Sequence, residues 1–307
     1  MARLTQRQFR LKMAKRNWAL YMMILPMFVY IILFHYWPMY GIQIAFRDFN
    51  FADGIAGSKW VGMKWFNYFF KSAQFKVVVV NTLTLTIYDL VVGFPLPIVL
   101  AIMMHTVQNK KFKRVAQTIT YLPHFISVIV LVGMMSCFFS VSTGWVNGMI
   151  KSLGGEAKQF MGEAKYFRHM YVWSGIWQQT GWNSIIYLAA LTGIDPGLHE
   201  AAMIDGANRF QRILHVDLPG ISGTIAIMLI LRFGSIMSLG FDKVYAMQNS
   251  LNSSVSTVIS TYVYEMGMLK YRYSYSAAIS LFNNIINFTL LATVNALSNK
   301  LSGSSLW

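Results

Sequence analysis

Two clusters of amide and aromatic side chains stand out inside the apolar runs of this chain. One is Gln178, Gln179, Thr180, Trp182 and Asn183; the other is Asn283, Asn284 and Asn287. Asn283 and Asn287 are spaced i and i+4, so a helix puts them on one face with Asn284 beside it. Amides donate and accept, and an indole offers a flat apolar surface. Together they can hold the hydroxyl groups and ring face of a neutral sugar. The same residue types also join neighbouring helices by hydrogen bonds in a membrane, and both readings stand at this point. Asp89 is the one acid, and Arg232 the one base, deep in an apolar run. An ion in such a place is a functional candidate, and these two are expected either to pair or to line a wet pathway.

Nothing else has the spacing of a reactive centre. Cys137 is the single cysteine, which excludes an intrachain disulfide and any CxxC motif. The histidines at 35, 105, 124, 169, 199 and 215 show no ligand spacing such as HxxxH. They are read as unrelated packing or interfacial side chains, with no metal site and no catalytic residue expected. There is no GxxxxGK[ST], so no P-loop nucleotide site, and no HExxH, GxSxG or kinase set. The chain is read as a non-enzyme. Asn252-Ser-Ser and Asn287-Phe-Thr match the glycosylation pattern by chance, the second within an apolar run.

The elements that must position these groups are membrane spans. The chain is 55% hydrophobic and only 12% charged, against about 25% charged in soluble domains. Six segments reach the ~20 apolar residues that cross a bilayer: roughly 18–38, 77–104, 121–140, 172–193, 219–240 and 276–297. The fold class is therefore all-α, a polytopic membrane protein of six transmembrane helices. FHYWPMYG (34–41) reads as an aromatic belt and a turn closing the first span, and Pro95 and Pro97 should kink the second. KWFNYFFKSAQF (64–75) suits an interfacial helix or a loop with an aromatic anchor.

The formal charge is +15. Its short basic segments, residues 1–17 and 110–114, place both termini, 105–120 and 194–218 in the cytoplasm by the positive-inside bias. That explains the charge without nucleic acid. The domains are a basic N-terminal segment (1–17), one membrane domain (18–297) interrupted by a loop at 194–219, and a tail (298–307).

That loop contains EAAMIDGANRFQRILHVDLPG (200–220). Asp195-Pro196 is an N-cap followed by proline at the first helical position. Gly206 can end this helix, and Asn208 can cap a second one over RFQRILHV that stops at Leu218-Pro219. Asp195, Glu200, Asp205 and Asp217 make the knob acidic, while Ala201 and Ala202 allow another surface to approach closely. It suits docking on a soluble partner, or is simply a well-capped loop.

Glu200-Ala201-Ala202, three residues, Gly206, nine residues, then Val216-Asp217-Leu218-Pro219 resembles the signature loop of permease subunits of binding-protein-dependent ABC importers. FHYWPMYGIQIAFRDF (34–49), YLPHFIS (121–127), GFDKVYAMQN (240–249), TYVYEMG (261–267) and the closing LSGSSLW resemble the carbohydrate branch. Within it they are similar to permeases of the lipo-oligosaccharide, aldouronate and alginate types. The resemblance implies a type I importer fold in a bacterial cytoplasmic membrane, moving oligosaccharides or polysaccharide fragments by alternating access. It implies a second homologous permease, usually in a heterodimer, an extracellular solute-binding protein, and two cytoplasmic ATPase subunits. ATP and Mg would be bound by those ATPases and no cofactor by this chain. Glu200, Ala201, Ala202, Asp205, Gly206, Leu218 and Pro219 become the ATPase-coupling set: Glu200 pairs with a basic group, the alanines make the close contact, and Gly206 sets the bend. Alternatives are a monosaccharide or polyol cargo, or a solitary channel or proton-coupled carrier, which would need more intramembrane acids or histidines than Asp89.

Overall fold

The computed structural model describes residues 16–302. The basic segment up to residue 15 and the end of the tail from 303 lie outside the described residues. The helices are α1 (Trp18–Phe46), α2 (Lys64–Lys71), α3 (Ala73–Thr106), α4 (Lys110–Tyr121), α5 (Val128–Phe138), α6 (Trp145–Ser152) and α7 (Ala164–Thr192). There follow α8 (Pro196–Ile204), α9 (Arg209–Gly220), α10 (Ser222–Gly234), α11 (Phe241–Met247), α12 (Ile259–Tyr264, continued by a widened turn over Glu265–Leu269) and α13 (Tyr273–Ser302). Among the described residues the one sheet is a pair of two-residue antiparallel strands, β1 (Arg47–Asp48) and β2 (Lys59–Trp60), with Arg47 opposite Trp60.

The expected spans fall largely on helix, but among the described residues only α1, α3 and α13 are long and apolar enough to cross a membrane alone. The third and fifth spans are bent. α4 and α5 meet at 99°, and α9 and α10 at 60°. The expected span 121–140 therefore contains a break between Phe125 and Val128, and the expected span 219–240 begins at the break before Ser222. Ser127 starts a fresh helix, its Oγ accepting from the Val130 N–H at 3.3 Å, and Ile221 leaves helical geometry at φ −103, ψ 5. α7 is 29 residues long, about 44 Å at 1.5 Å per residue. Its amides and tryptophans keep it less apolar than the others.

Three prolines share one device. The helical turns at 32–36, 89–93 and 213–217 are widened, and each lies just before a proline: Pro38, Pro95 and Pro219. The Trp37 and Leu218 N–H groups reach back five residues, to the Ile32 and Ile213 carbonyls. Proline lacks an N–H and its ring crowds the carbonyl four residues back, which falls inside the widened turn in all three cases. The helix thus passes the proline instead of ending there. This corrects two expectations: α1 continues past 38 to Phe46, and the helix after Asn208 continues past Leu218-Pro219 to Gly220. The kink expected at Pro95 and Pro97 is a loosened turn within a continuous α3. Pro26 sits in α1 without such widening, and nothing in the structure explains the difference.

α1 buries no side chain over Trp18–Ile31. A helix apolar all round and unburied needs an apolar solvent or partner. α2 is the helical reading of 64–71: Phe66 and Phe69 turn inward, and Ser72 caps α3 through the Phe75 N–H. The interior is built around α7, which packs along the second half of α3. Leu85, Leu131, Val172, Ile176 and Val244 fill the contact of α3, α5, α7 and α11. Ala101, Met104, Leu188, Leu191 and Ile221 fill the end from which the 194–219 loop projects. Gly181 lets α7 cross α4 closely: a β-carbon there would run into the Thr120 carbonyl.

Candidate functional site

A cavity of about 520 Å³ opens between α3, α7, α10 and α11. Asp89, Gln178, Gln179, Asn183, Arg232 and Lys243 line its polar side. Asp89 sits on the widened turn of α3 and pairs with Arg232 of α10. The two residues pair, and both line the cavity. Gln178 is buried and spent on structure: its Nε2 donates to the Ile126 carbonyl at 2.6 Å, fixing the turn before α5. Gln179 and Asn183 are the amides available to a ligand, Gln179 also meeting His124 Nδ1 at 2.9 Å. Trp182 does not line the cavity. It is exposed and stacks flat on His124, with ring centroids 4.2 Å apart.

Lys243 was not legible from its neighbours in the chain. It lies on α11, past the fifth span, and is 8% exposed. Its Nζ donates to the Tyr171 carbonyl at 2.8 Å and sits 4.8 Å from the Tyr171 ring centroid. Burial disfavours the ammonium and lowers its pKa to about 7. The cavity therefore carries a second base that is not matched by an acid among its lining residues.

The asparagines of α13 do not join this cavity. Asn283 and Asn284 line a separate one of about 510 Å³ with Ser260, Tyr264 and Tyr273. Asn287 is consumed in packing: its Oδ1 accepts from the Met237 N–H at 2.9 Å, and its Nδ2 donates to Ser238 Oγ at 2.8 Å. These bonds tie α13 to the non-helical segment between α10 and α11. The i, i+4 spacing gave a common face but not what faced it.

The loop is built as its capping residues dictate. Asp195 Oδ1 accepts from the Gly197 N–H at 2.9 Å. Asn208 and Gln211 form a reciprocal capping box at 2.9 and 2.7 Å. Gly206, at φ +78, makes the reversal between α8 and α9, a left-handed conformation costly to other residues. Arg209 Nη2 donates to the Thr106 carbonyl at 2.7 Å, fastening α9 to the end of α3. Glu200, Ala201 and Asp205 are exposed, Ala202 is half-buried, and Leu218 and Pro219 sit at the root of the knob. The small-residue face has apolar company that sequence reasoning missed. Leu198, Met203, Ile204 and Phe210 are exposed, Ile204 at 87%. Large apolar groups presented together on a short loop mark a contact surface.

The histidines are not all unrelated, contrary to expectation. The structure brings His105 of α3 and His199 of α8 together with Asp217 of α9, their potential ligand atoms all within 4.8 Å of one another. The residues are far apart in sequence, so no spacing pattern could reveal them.

Residues 93–303 match the family described as binding-protein-dependent transport system inner membrane component. The chain belongs to this family. Over 293 residues the permease is 42% identical to Protein LplB of Bacillus subtilis (strain 168), covering 95% of this chain and 92% of that protein. It is 40% identical over 288 residues to the polygalacturonan/rhamnogalacturonan transport system permease protein YteP of the same organism, covering 94% and 90%. It also matches a chain in the crystal structure of a bacterial ABC transporter involved in import of the acidic polysaccharide alginate. That match has a TM-score of 0.89 at 38% identity, and covers 95% of the permease and 98% of that chain. The type I importer permease fold read from the loop signature is thus the fold of the molecule, and its place is the inner membrane.

Proposed function

We propose that this permease forms half of the membrane pathway of an ATP-driven importer whose cargo is an oligosaccharide bearing acidic sugar units. The observation that carries the cargo class is the cavity, where Gln179 and Asn183 offer amides beside the Asp89–Arg232 pair and the buried Lys243. Amides suit hydroxyl groups, and an unmatched buried ammonium suits a carboxylate that desolvates with it. The relatives named for polygalacturonan and alginate, both acidic polymers, support the same class.

The partners in this reading are a second homologous permease, an extracellular solute-binding protein and two cytoplasmic ATPases holding ATP and Mg. A related alginate transporter was crystallised in complex with its cargo-bound periplasmic protein. The knob over 196–212 seats in a cleft of one ATPase, Glu200 against a basic group, with Leu198, Met203 and Ile204 supplying apolar contact. Both termini then face the cytoplasm. ATP and loaded binding protein each favour the outward-facing state, so through that shared state each promotes the action of the other.

The test is uptake in cells lacking the permease gene, complemented with the wild type or Lys243→Met. Uptake of uronate oligosaccharides restored by wild type and cut at least severalfold by Lys243→Met supports the reading. Equal restoration of neutral oligosaccharide uptake by both, with no uronate uptake by either, refutes the cargo class.

A further inference from the structure

His105, His199 and Asp217 are the one group of three or more His, Cys, Asp or Glu residues among the described residues that could hold a metal ion. They come from three elements. His105 is in the last turn of α3, His199 midway along α8, and Asp217 in the widened turn of α9. The bend at Gly206 folds α9 back against α8, and the Arg209 bond to Thr106 sets both beside the end of α3.

Two features separate this cluster from an ordinary His–Asp contact. First, the Asp217 side chain is 3% exposed, yet its Oδ1 has no hydrogen-bond partner. A buried carboxylate oxygen without a donor is costly. Second, His199 Nε2 lies 3.4 Å from that oxygen and is itself buried and without a hydrogen-bond partner. The two atoms are near but not aligned for a hydrogen bond. Two ligands of one tetrahedral zinc ion, each about 2.0–2.1 Å from the metal, are separated by about 3.3 Å. The His199–Asp217 spacing already meets this. The remaining nitrogen, on His105, lies within 4.8 Å and must close by at most about 1.5 Å, a movement within reach of its two side-chain torsions.

We propose that His105, His199 and Asp217 form a binding site for a divalent transition cation of the zinc type, joining α8 and α9 to the end of α3. Two imidazole nitrogens and one carboxylate select zinc-like ions over calcium and magnesium, which take oxygen ligands. Three protein ligands leave one position for water. The ion supplies the missing partner of Asp217 and cross-links three elements that otherwise meet through non-covalent contacts and the short turn at Gly206. It therefore holds the knob in one orientation relative to the membrane helices, whatever the knob docks against.

The experiment uses the assembled importer purified through a tag free of histidine and stripped with a chelator. Cobalt(II), a spectroscopic stand-in for zinc, is titrated in, and retained zinc is measured separately by elemental mass spectrometry. The wild type should give the visible absorption of tetrahedral cobalt and keep one zinc per copy of this chain. Its thermal midpoint should rise with zinc. His105→Asn and His199→Ala, on different elements, should each weaken binding by roughly a hundredfold or more and abolish the rise of the thermal midpoint with zinc. If one variant fails to assemble, the other and the wild-type spectrum still decide. Absence of tetrahedral cobalt bands in the wild type, or the same zinc content in the wild type and an assembled variant, overturns the site. It leaves a packed His–Asp ion pair. Metal binding and ATPase docking are read separately, so failure of one does not imply failure of the other.

Discussion

Gly206 isolates backbone conformation from packing in the coupling knob. At φ +78 it occupies the left-handed region, and a β-carbon built there meets nothing within 4 Å. Gly206→Ala therefore carries no steric term, only the conformational one, about 1–2 kcal/mol. That lowers the ratio of formed to unformed reversal by roughly 5- to 30-fold. Gly206→Asn should cost less, since asparagine tolerates this region. Gly206→Pro adds two faults. Its φ is locked near −65°, and it removes the N–H that donates to the Met203 carbonyl at 3.1 Å. Together these exceed about 3 kcal/mol. The assay is cargo-stimulated ATP hydrolysis of the reconstituted importer, with hydrogen exchange over 196–212 reporting whether the reversal is formed. Coupling should fall in the order Gly, Asn, Ala, Pro, and exchange should rise in the same order. Equal coupling in Ala and Pro variants, or full coupling in Pro, refutes the argument that this bend positions the knob.

Other consequences can be measured in the same system. Glu200→Ala removes an exposed carboxylate, so the folding stability should stay within about 0.5 kcal/mol of wild type while co-purification of the ATPase drops. An unchanged yield of ATPase would sink the pairing role. Arg232→Gln strands the Asp89 carboxylate, which is 20% exposed beside an arginine that is 47% exposed. The expected loss is about 1–3 kcal/mol, between surface and buried pairs, and Asp89→Asn in the same chain should recover part of it in a thermal-unfolding cycle. Because burial holds Lys243 near a pKa of about 7, its charge is present below that value and lost above it. The preference of uptake for uronate over neutral oligosaccharides should thus decline from about pH 6 to about pH 8, and vanish as a pH effect in Lys243→Met. Gly181→Ala forces a methyl against the Thr120 carbonyl, which should cost about 1–3 kcal/mol and show as reduced folded yield in detergent.

What the sequence by itself determined was local. Apolar runs located the membrane-crossing helices, though not the bends in the third and fifth, because burial in lipid must be satisfied residue by residue. The coupling loop was equally legible. Asp195, Pro196, Gly206, Asn208 and Gln211 act on backbone groups within a few residues of themselves, so their roles follow from type and spacing. The proline positions were visible too, but not their outcome. Whether a helix ends at Pro38, Pro95 or Pro219, or widens and continues, depends on what packs across it. Only the tertiary structure decided which polar groups share a space. Asp89 and Arg232 stand 143 residues apart, Lys243 and Tyr171 72, and Asn287 and Met237 50. No periodicity relates such pairs. The clearest case is Asp217: in the sequence it is one acid of a polar loop, and in the fold it is a buried carboxylate facing two histidines. The bend at Gly206 and the docking of α9 on α3 take it out of water, and that desolvation makes its unsatisfied oxygen informative.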